Sequence, residues 1–367
     1  MLGKNGKISL HQLKCLLFAE WIGKMCLLMP LICRSLKGWN YAAAIAVGCV
    51  WTLLYSALLL KTSTHVQDKF TDYMTERLGK WFAYAAAAMF LAYLVCSQIY
   101  LARLTARICR VFLLPGLPEE IFCAALVLAG TVTAAGGKET RARAAECLVF
   151  FIGVVLAVML AASACAVRME NITNTQPFMA FSVLERGAAV SAAFAGMALL
   201  LYETPYIQWK KEKRGRELGK VLGLLFLFLI AAAVIAMGVL GEKSFSLLPW
   251  PLVTLMSSAE LPGGFLQRWD AVFLSVLLFS LFLDSGAASH YICRILGEAV
   301  PKRKEAHIRY VSGAAVLFLT LACRTYEAAE AIFFKWVLCC LAPLTAAVPV
   351  LLFTLERIKR KCEKQGH

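Results

Sequence analysis

The chain has 367 residues, of which 60% are hydrophobic and 17% are Asp, Glu, Lys or Arg, with a formal net charge of +15. A soluble globular domain carries about 25% charged residues, and disordered chains are poorer still in apolar groups, so neither class fits. The charges sit at the ends of apolar runs of roughly the 20 residues a helix needs to cross a bilayer, which makes this an all-α polytopic membrane protein.

About ten transmembrane helices follow in order. The first, 9–34, is preceded by basic residues, but no Ala-x-Ala cleavage site follows its apolar stretch, so it is expected to stay as a helix. It carries Glu20, Gly23, Lys24 and Pro30. The second and third are read at 40–60 and 81–102. Arg103, Arg107 and Arg110 follow the third at i, i+4 and i+7, a stripe that fits either a solvated helix end or a contact face for a partner protein. The fourth and fifth are 119–135 and 145–167, and Asn171-Ile172-Thr173 after them matches a glycosylation sequon. The sixth, 188–209, contains Gly196, Tyr202, Glu203 and Pro205, with Gly187 just ahead of it. The seventh is 219–240, and the eighth, 270–293, holds Asp284, Ser285 and Ser289. A short ninth, 309–323, and a tenth, 331–354, complete the set. The runs are continuously apolar and rich in Ala and Leu, not alternating, which excludes a β-barrel.

With the N-terminus inside, 25 of the 38 basic residues fall in inner segments and 11 in outer ones, and Lys14 and Lys24 lie in the first span. This asymmetry predicts that both termini are cytoplasmic. It also assigns the basic excess to topology and membrane-lipid headgroups, not to nucleic acid. The 14 cysteines lie mostly within spans and form no CxxC, and the five histidines are scattered. No disulfide framework, metal site or cofactor is expected. No nucleophile–base pair or phosphate-binding loop stands out, so an enzyme is not expected.

The whole chain, 1–367, reads as a single transmembrane domain. Ten spans divide into two sets of five, and an odd-numbered repeat must insert in opposite orientations, giving an inverted repeat over 9–167 and 188–354. The first span of each half carries helix-weakening residues: Gly23 and Pro30 in one, Gly187, Gly196 and Pro205 in the other. Paired interruptions point to a small-molecule site at the midplane, although glycine also serves close helix packing. On the first reading the walls are Ile22, Gly23, Lys24 and Met25, with Phe194, Gly196 and Met197 opposite. A charge as deep as Lys24 must face protein or water. Glu20, one turn earlier on the same face, offers an intrahelical ion pair. Glu203 is either a gate or proton site, or a partner of the Lys210–Lys213 cluster.

The segment ISLHQLKCLLFAEWIGKMCLLMP (Ile8–Pro30) resembles the first span of endospore germination permeases, the B subunits of germinant receptors. That family shows an Ile-Ser-x-x-Gln-Leu start, a mid-span Gly and a terminal Pro. Pro249–Phe282 is similar to its loop and eighth span, with Phe265, Leu266, Gln267, Arg268, Trp269 and Asp270 at the junction. Lys24 departs from the pattern, standing where small residues are usual. The resemblance implies the amino acid–polyamine–organocation transporter superfamily and a LeuT-like fold. It implies sensing of a small nutrient, such as an amino acid, beside A and C partner subunits in the spore inner membrane. In that fold the eighth span flanks the first near a cation site, so Asp284 is expected to neutralise Lys24 or to be protonated. Ser285 and Ser289 lie close by, and Lys24 would either contact a ligand carboxylate or stand in the place of a coupling cation. Two other functions stay open: a proton-coupled amino acid symporter, and a ligand-free scaffold for other membrane subunits.

Overall fold

The computed structural model describes residues 7–66, 68–172, 177–208, 214–258, 269–299 and 305–365. A two-residue strand, β1 (Ile8–Ser9), leads into α1 (Leu10–Ile32). Ser9 and Gln12 form a reciprocal capping box: the Gln12 amide donates to Ser9 Oγ at 3.2 Å and the Ser9 amide to Gln12 Oε1 at 3.0 Å. Nearly every residue of α1 from Leu13 onward is buried. A helix apolar on all sides belongs at the centre of a bundle, and α1 occupies that place.

The remaining helices surround it. They are α2 (Trp39–Ser63), α3 (Phe70–Leu78), α4 (Lys80–Ile108), α5 (Glu119–Ala135), α6 (Gly137–Ala164) and α7 (Ala180–Ala193). A 3-10 turn (Ala195–Leu199), α8 (Leu200–Glu203) and a second 3-10 turn (Thr204–Tyr206) continue α7 into β2 (Ile207–Gln208). Then come α9 (Arg214–Leu240), α10 (Glu242–Leu247), α11 (Pro251–Ser258), α12 (Trp269–Ala299), α13 (Glu305–Ala322), α14 (Tyr326–Ile332) and α15 (Ala342–Gln365). A π-helical stretch, Phe333–Leu341, joins the last two. Eight helices among the described residues are long and apolar enough to cross a membrane. The shorter α5 and α13 occupy the places of the fourth and ninth spans. Large apolar side chains such as Leu54, Phe150 and Phe318 are exposed around the outside, as a lipid-facing surface requires.

The packing is symmetric under exchange of the two halves. Helix α1 packs on α6 as the sixth span packs on α15; α2 meets α7 as α9 meets α1; and α5 meets α12 as α13 meets α4. This is the pattern of a five-plus-five inverted repeat. Strands β1 and β2 pair in parallel, Ile8 with Ile207, tying the start of the first span to the end of the sixth. Helix α15 packs on α3, between the second and third spans, so its last turns lie at that same end of the bundle, called here the basic end.

Two sequence expectations, a break in the first span and a solvated arginine stripe, need correction. Helix α1 is continuous through Gly23, not broken there. The glycine permits a close approach: a Cβ at Gly23 would stand 2.6 Å from Ser280 Cβ and Oγ on α12. The Gly23 amide donates to Ser280 Oγ at 2.8 Å, and that hydroxyl donates to the Ala19 carbonyl. One serine thus bridges a rung of the α1 ladder. The sixth span is interrupted as expected at Gly196, in the 3-10 turn that follows Ala193, while Gly187 lies within α7 against Val47 of α2. The arginine stripe at the opposite end is only partly solvated: Arg110 is exposed and Arg107 half-buried, both paired with Glu119, but its first member is not. Arg103 is fully buried and donates to the Thr320 carbonyl, while Arg107 pairs with Glu119 at 3.1 Å and Glu327 at 2.9 Å. The sequon residue Asn171 donates to the Gly238 carbonyl at 2.8 Å. Thr173, Phe265 to Arg268, and the Lys210–Lys213 cluster lie outside the described residues.

Candidate functional site

A cavity of about 50 Å³ lies between α1, α4, the 3-10 turn of the sixth span, and α12. Because α1 is an unbroken helix, residues at i, i+3, i+4 and i+7 share a face, and Leu17, Glu20, Trp21 and Lys24 line the cavity together. Opposite them are Gly196 and Met197, with Tyr93, Ser97 and Gln98 on α4 and Asp284 and Tyr291 on α12.

The continuity of α1 also corrects the expected wall. Ile22 and Met25 are fully buried, and with Gly23 they turn away from the cavity toward neighbouring helices. Phe194 is a second layer: its ring stacks on Trp21 at 4.8 Å and 7°, and packs on Phe226 at 4.9 Å. Lys24, Gly196 and Met197 remain in the wall. A Cβ at Gly196 would stand 3.1 Å from the Tyr93 hydroxyl and 3.5 Å from Trp21, so any larger residue there reaches into the cavity.

Lys24 Nζ lies 3.3 Å from Asp284 Oδ2, with side chains 11% and 14% exposed. The ammonium also stands 5.3 Å above the Trp21 ring, within cation–π range. Glu20 is not the partner of Lys24. Its carboxylate takes Arg141 Nη2 on α6 at 2.6 Å, and Arg141 lies 5.7 Å over the Tyr291 ring. Two buried, oppositely oriented ion pairs therefore meet at one cavity, where a low dielectric makes each charge costly alone and strong when paired. Ser285 faces away from Lys24, accepting from Gln98 Nε2 and donating to the Leu126 carbonyl on α5 at 3.2 Å. Ser289 is half-buried and does not line the cavity.

Toward the basic end a further polar layer closes the space. Glu203 Oε1 pairs with His290 Nε2 at 2.7 Å. Beside it, Arg294 donates to the Tyr206 hydroxyl at 2.6 Å, and Lys138 stands 3.0 Å from the Tyr206 ring centroid. These contacts join the sixth span to α6 and α12. Apolar cavities of about 150 Å³ admit a benzene-sized guest. At about 50 Å³ this one has room for water-sized molecules, and an amino acid needs its walls to move apart. The wall at Ala195–Leu199 is 3-10 backbone, with poorer hydrogen-bond geometry than an α-helix.

Residues 7–328 match the family described as Spore germination protein. The chain belongs to that spore germination permease family. Among its relatives is Spore germination protein A2 of Bacillus subtilis (strain 168), 23% identical over 222 residues that cover 59% of this chain and 60% of that one. Spore germination protein YndE of the same organism is 21% identical over 252 residues, 68% of each chain. Solved structures share the fold at low identity. A Na+-coupled sialic acid symporter, in a substrate-bound outward-open state, superposes with a TM-score of 0.70 over 95% of this chain and 79% of its own, at 10% identity. MhsT in complex with L-phenylalanine gives 0.64 over 94% and 87%, at 12% identity. A nucleobase-cation-symport-1 family transporter in a closed conformation gives 0.62 over 92% and 77%, at 15% identity. The family member described here therefore has a LeuT-like transporter fold and is a multi-pass membrane protein.

Proposed function

We propose that this family member is the B subunit of a germinant receptor, which binds a small nutrient, such as an amino acid, in the cavity between α1 and the interrupted sixth span. The observation that carries this reading is the Lys24–Asp284 pair beside Gly196. Opposite charges in a buried, partly polar space match the ammonium and carboxylate of a zwitterion. Ligand entry would spread the walls, and the resulting shift between conformations would be read by A and C subunits. The basic end would be cytoplasmic, and the membrane that of the spore interior. Ile22, Gly23, Met25 and Phe194 support the wall from behind, and Glu203 with His290 closes the inner side. The test is germination of spores lacking this gene, complemented with the native chain or with Asp284→Asn. Native complementation should restore loss of refractility in response to one nutrient class, and the variant should not. Equal responses from both would remove the ligand role of the pair.

The buried Glu203–His290 pair favours a second reading, a proton-coupled amino acid symporter. Accumulation of labelled amino acids in proteoliposomes under an imposed proton gradient would support it over the receptor.

A further inference from the structure

At the basic end, the last turn of α2 and the C-terminal part of α15 leave a cleft of about 350 Å³ lined by Lys61, His65, Phe353, Glu356 and Arg357. Its acid is already committed. Buried Glu356 accepts from the Tyr73 hydroxyl at 2.8 Å, pairs with His65 at 2.9 Å and with Arg77 at 3.3 Å. Lys61 and Arg357 are exposed, and neither has an ion-pair partner among the described residues. Two cations therefore stand at the mouth of a cleft whose single carboxylate is neutralised from behind.

The same two helices are apolar further into the membrane. Leu54 lies seven residues before Lys61 and Val350 seven before Arg357, so each shares the face of its cation. They are 66% and 39% exposed, with Phe353 between Val350 and Arg357 on that face. A lysine in the last turn of α2 and an arginine on the facing α15, with exposed apolar residues on the same helix faces, are complementary to an amphiphile with an anionic head. We propose that this cleft binds one anionic phospholipid. Its phosphate would lie between Lys61 and Arg357, and its acyl chains along Phe353 and Leu54, with Val350, which borders the apolar groove between α15 and α4, at the edge. A guanidinium and an ammonium together suit a phosphate, the first by directed hydrogen bonds and the second by charge. The bound lipid would clasp α2 to α15. This site is separate from the nutrient cavity and does not depend on its reading.

The test is native mass spectrometry of the purified full chain with phosphatidylglycerol or phosphatidylcholine of identical acyl chains, paired with thermal unfolding in the same lipids. The expected result is at least a fivefold preference for phosphatidylglycerol and a higher Tm with it. Lys61→Ala with Arg357→Ala should abolish both differences, and Lys61→Arg should keep them. If the double variant is not recovered folded, Lys61→Gln alone should lower the preference at least twofold. Equal retention of the two lipids, or an undiminished preference in the neutralised variants, overturns the proposal. So does inorganic phosphate reproducing the Tm rise by itself, which would identify a free-anion site.

Discussion

Lys24 and Asp284 hold opposite charges 3.3 Å apart on facing helices, in a place where either would be expensive alone. Removing one partner of a buried pair strands the other, at a cost of about 3–5 kcal/mol. Lys24→Met and Asp284→Asn should therefore each lower thermal stability substantially. The double variant should lose less than the sum, by about 0.5–3 kcal/mol of coupling. A double-mutant cycle on thermal unfolding measures this, and strictly additive losses would show that the two side chains do not interact. The same cycle on Glu20 should show coupling to Arg141 and little to Lys24. The charges inside apolar runs were visible in the sequence, because such a run makes any ionisable residue conspicuous. Partners were harder to read. Arg141 lies in a basic segment that topology alone accounts for, and 121 residues separate it from Glu20. Tyr93 and Ser97 were missed although they sit at i and i+4 with Gln98 beside them, a polar patch within the third span.

At the scale of elements, one glycine has two meanings that sequence alone does not separate. Gly196 lies in a real interruption, whereas Gly23 lies in an intact helix pressed against Ser280. Which meaning holds depends on the facing residue, and Ser280 lies 257 positions away. The consequence was large: an unbroken α1 rotates Ile22, Gly23 and Met25 out of the cavity and brings Trp21 in. Gly23→Ala should force its methyl into Ser280 and cost about 1–3 kcal/mol, the usual range for overpacking. Adding Ser280→Gly opens that space, although it also removes the hydroxyl that bridges Ala19 and Gly23. Thermal unfolding should show the double variant more stable than the two separate losses predict. No recovery would mean that the α1–α12 contact is not the tight approach described.

For the whole molecule, the all-α polytopic class and the spans were legible because hydropathy follows bilayer thickness closely, the five-plus-five division followed from the count of ten, and the LeuT-like fold came only through the resemblance of the first and eighth spans. The short helices α3, α10 and α11 were not, since they lie in segments too brief or too polar to register as spans. Orientation remains readable through charge alone and is open to a direct check. With exposed Cys147, Cys165, Cys339 and Cys340 replaced, a cysteine at Lys243 should react with an impermeant maleimide from outside intact cells. A cysteine at Arg216 should react only after permeabilisation, and the reverse result would invert the topology. On the proposed function, a small nutrient enters the cavity between α1 and the interrupted sixth span. Thermal unfolding of the purified chain against a panel of the common amino acids tests it most directly, with Gly196→Leu as the comparison because a side chain there fills the space between Tyr93 and Trp21. At least one amino acid should raise Tm in the native chain and leave a folded Gly196→Leu variant unchanged. A panel that shifts neither protein, or a shift that persists undiminished in the variant, would contradict it.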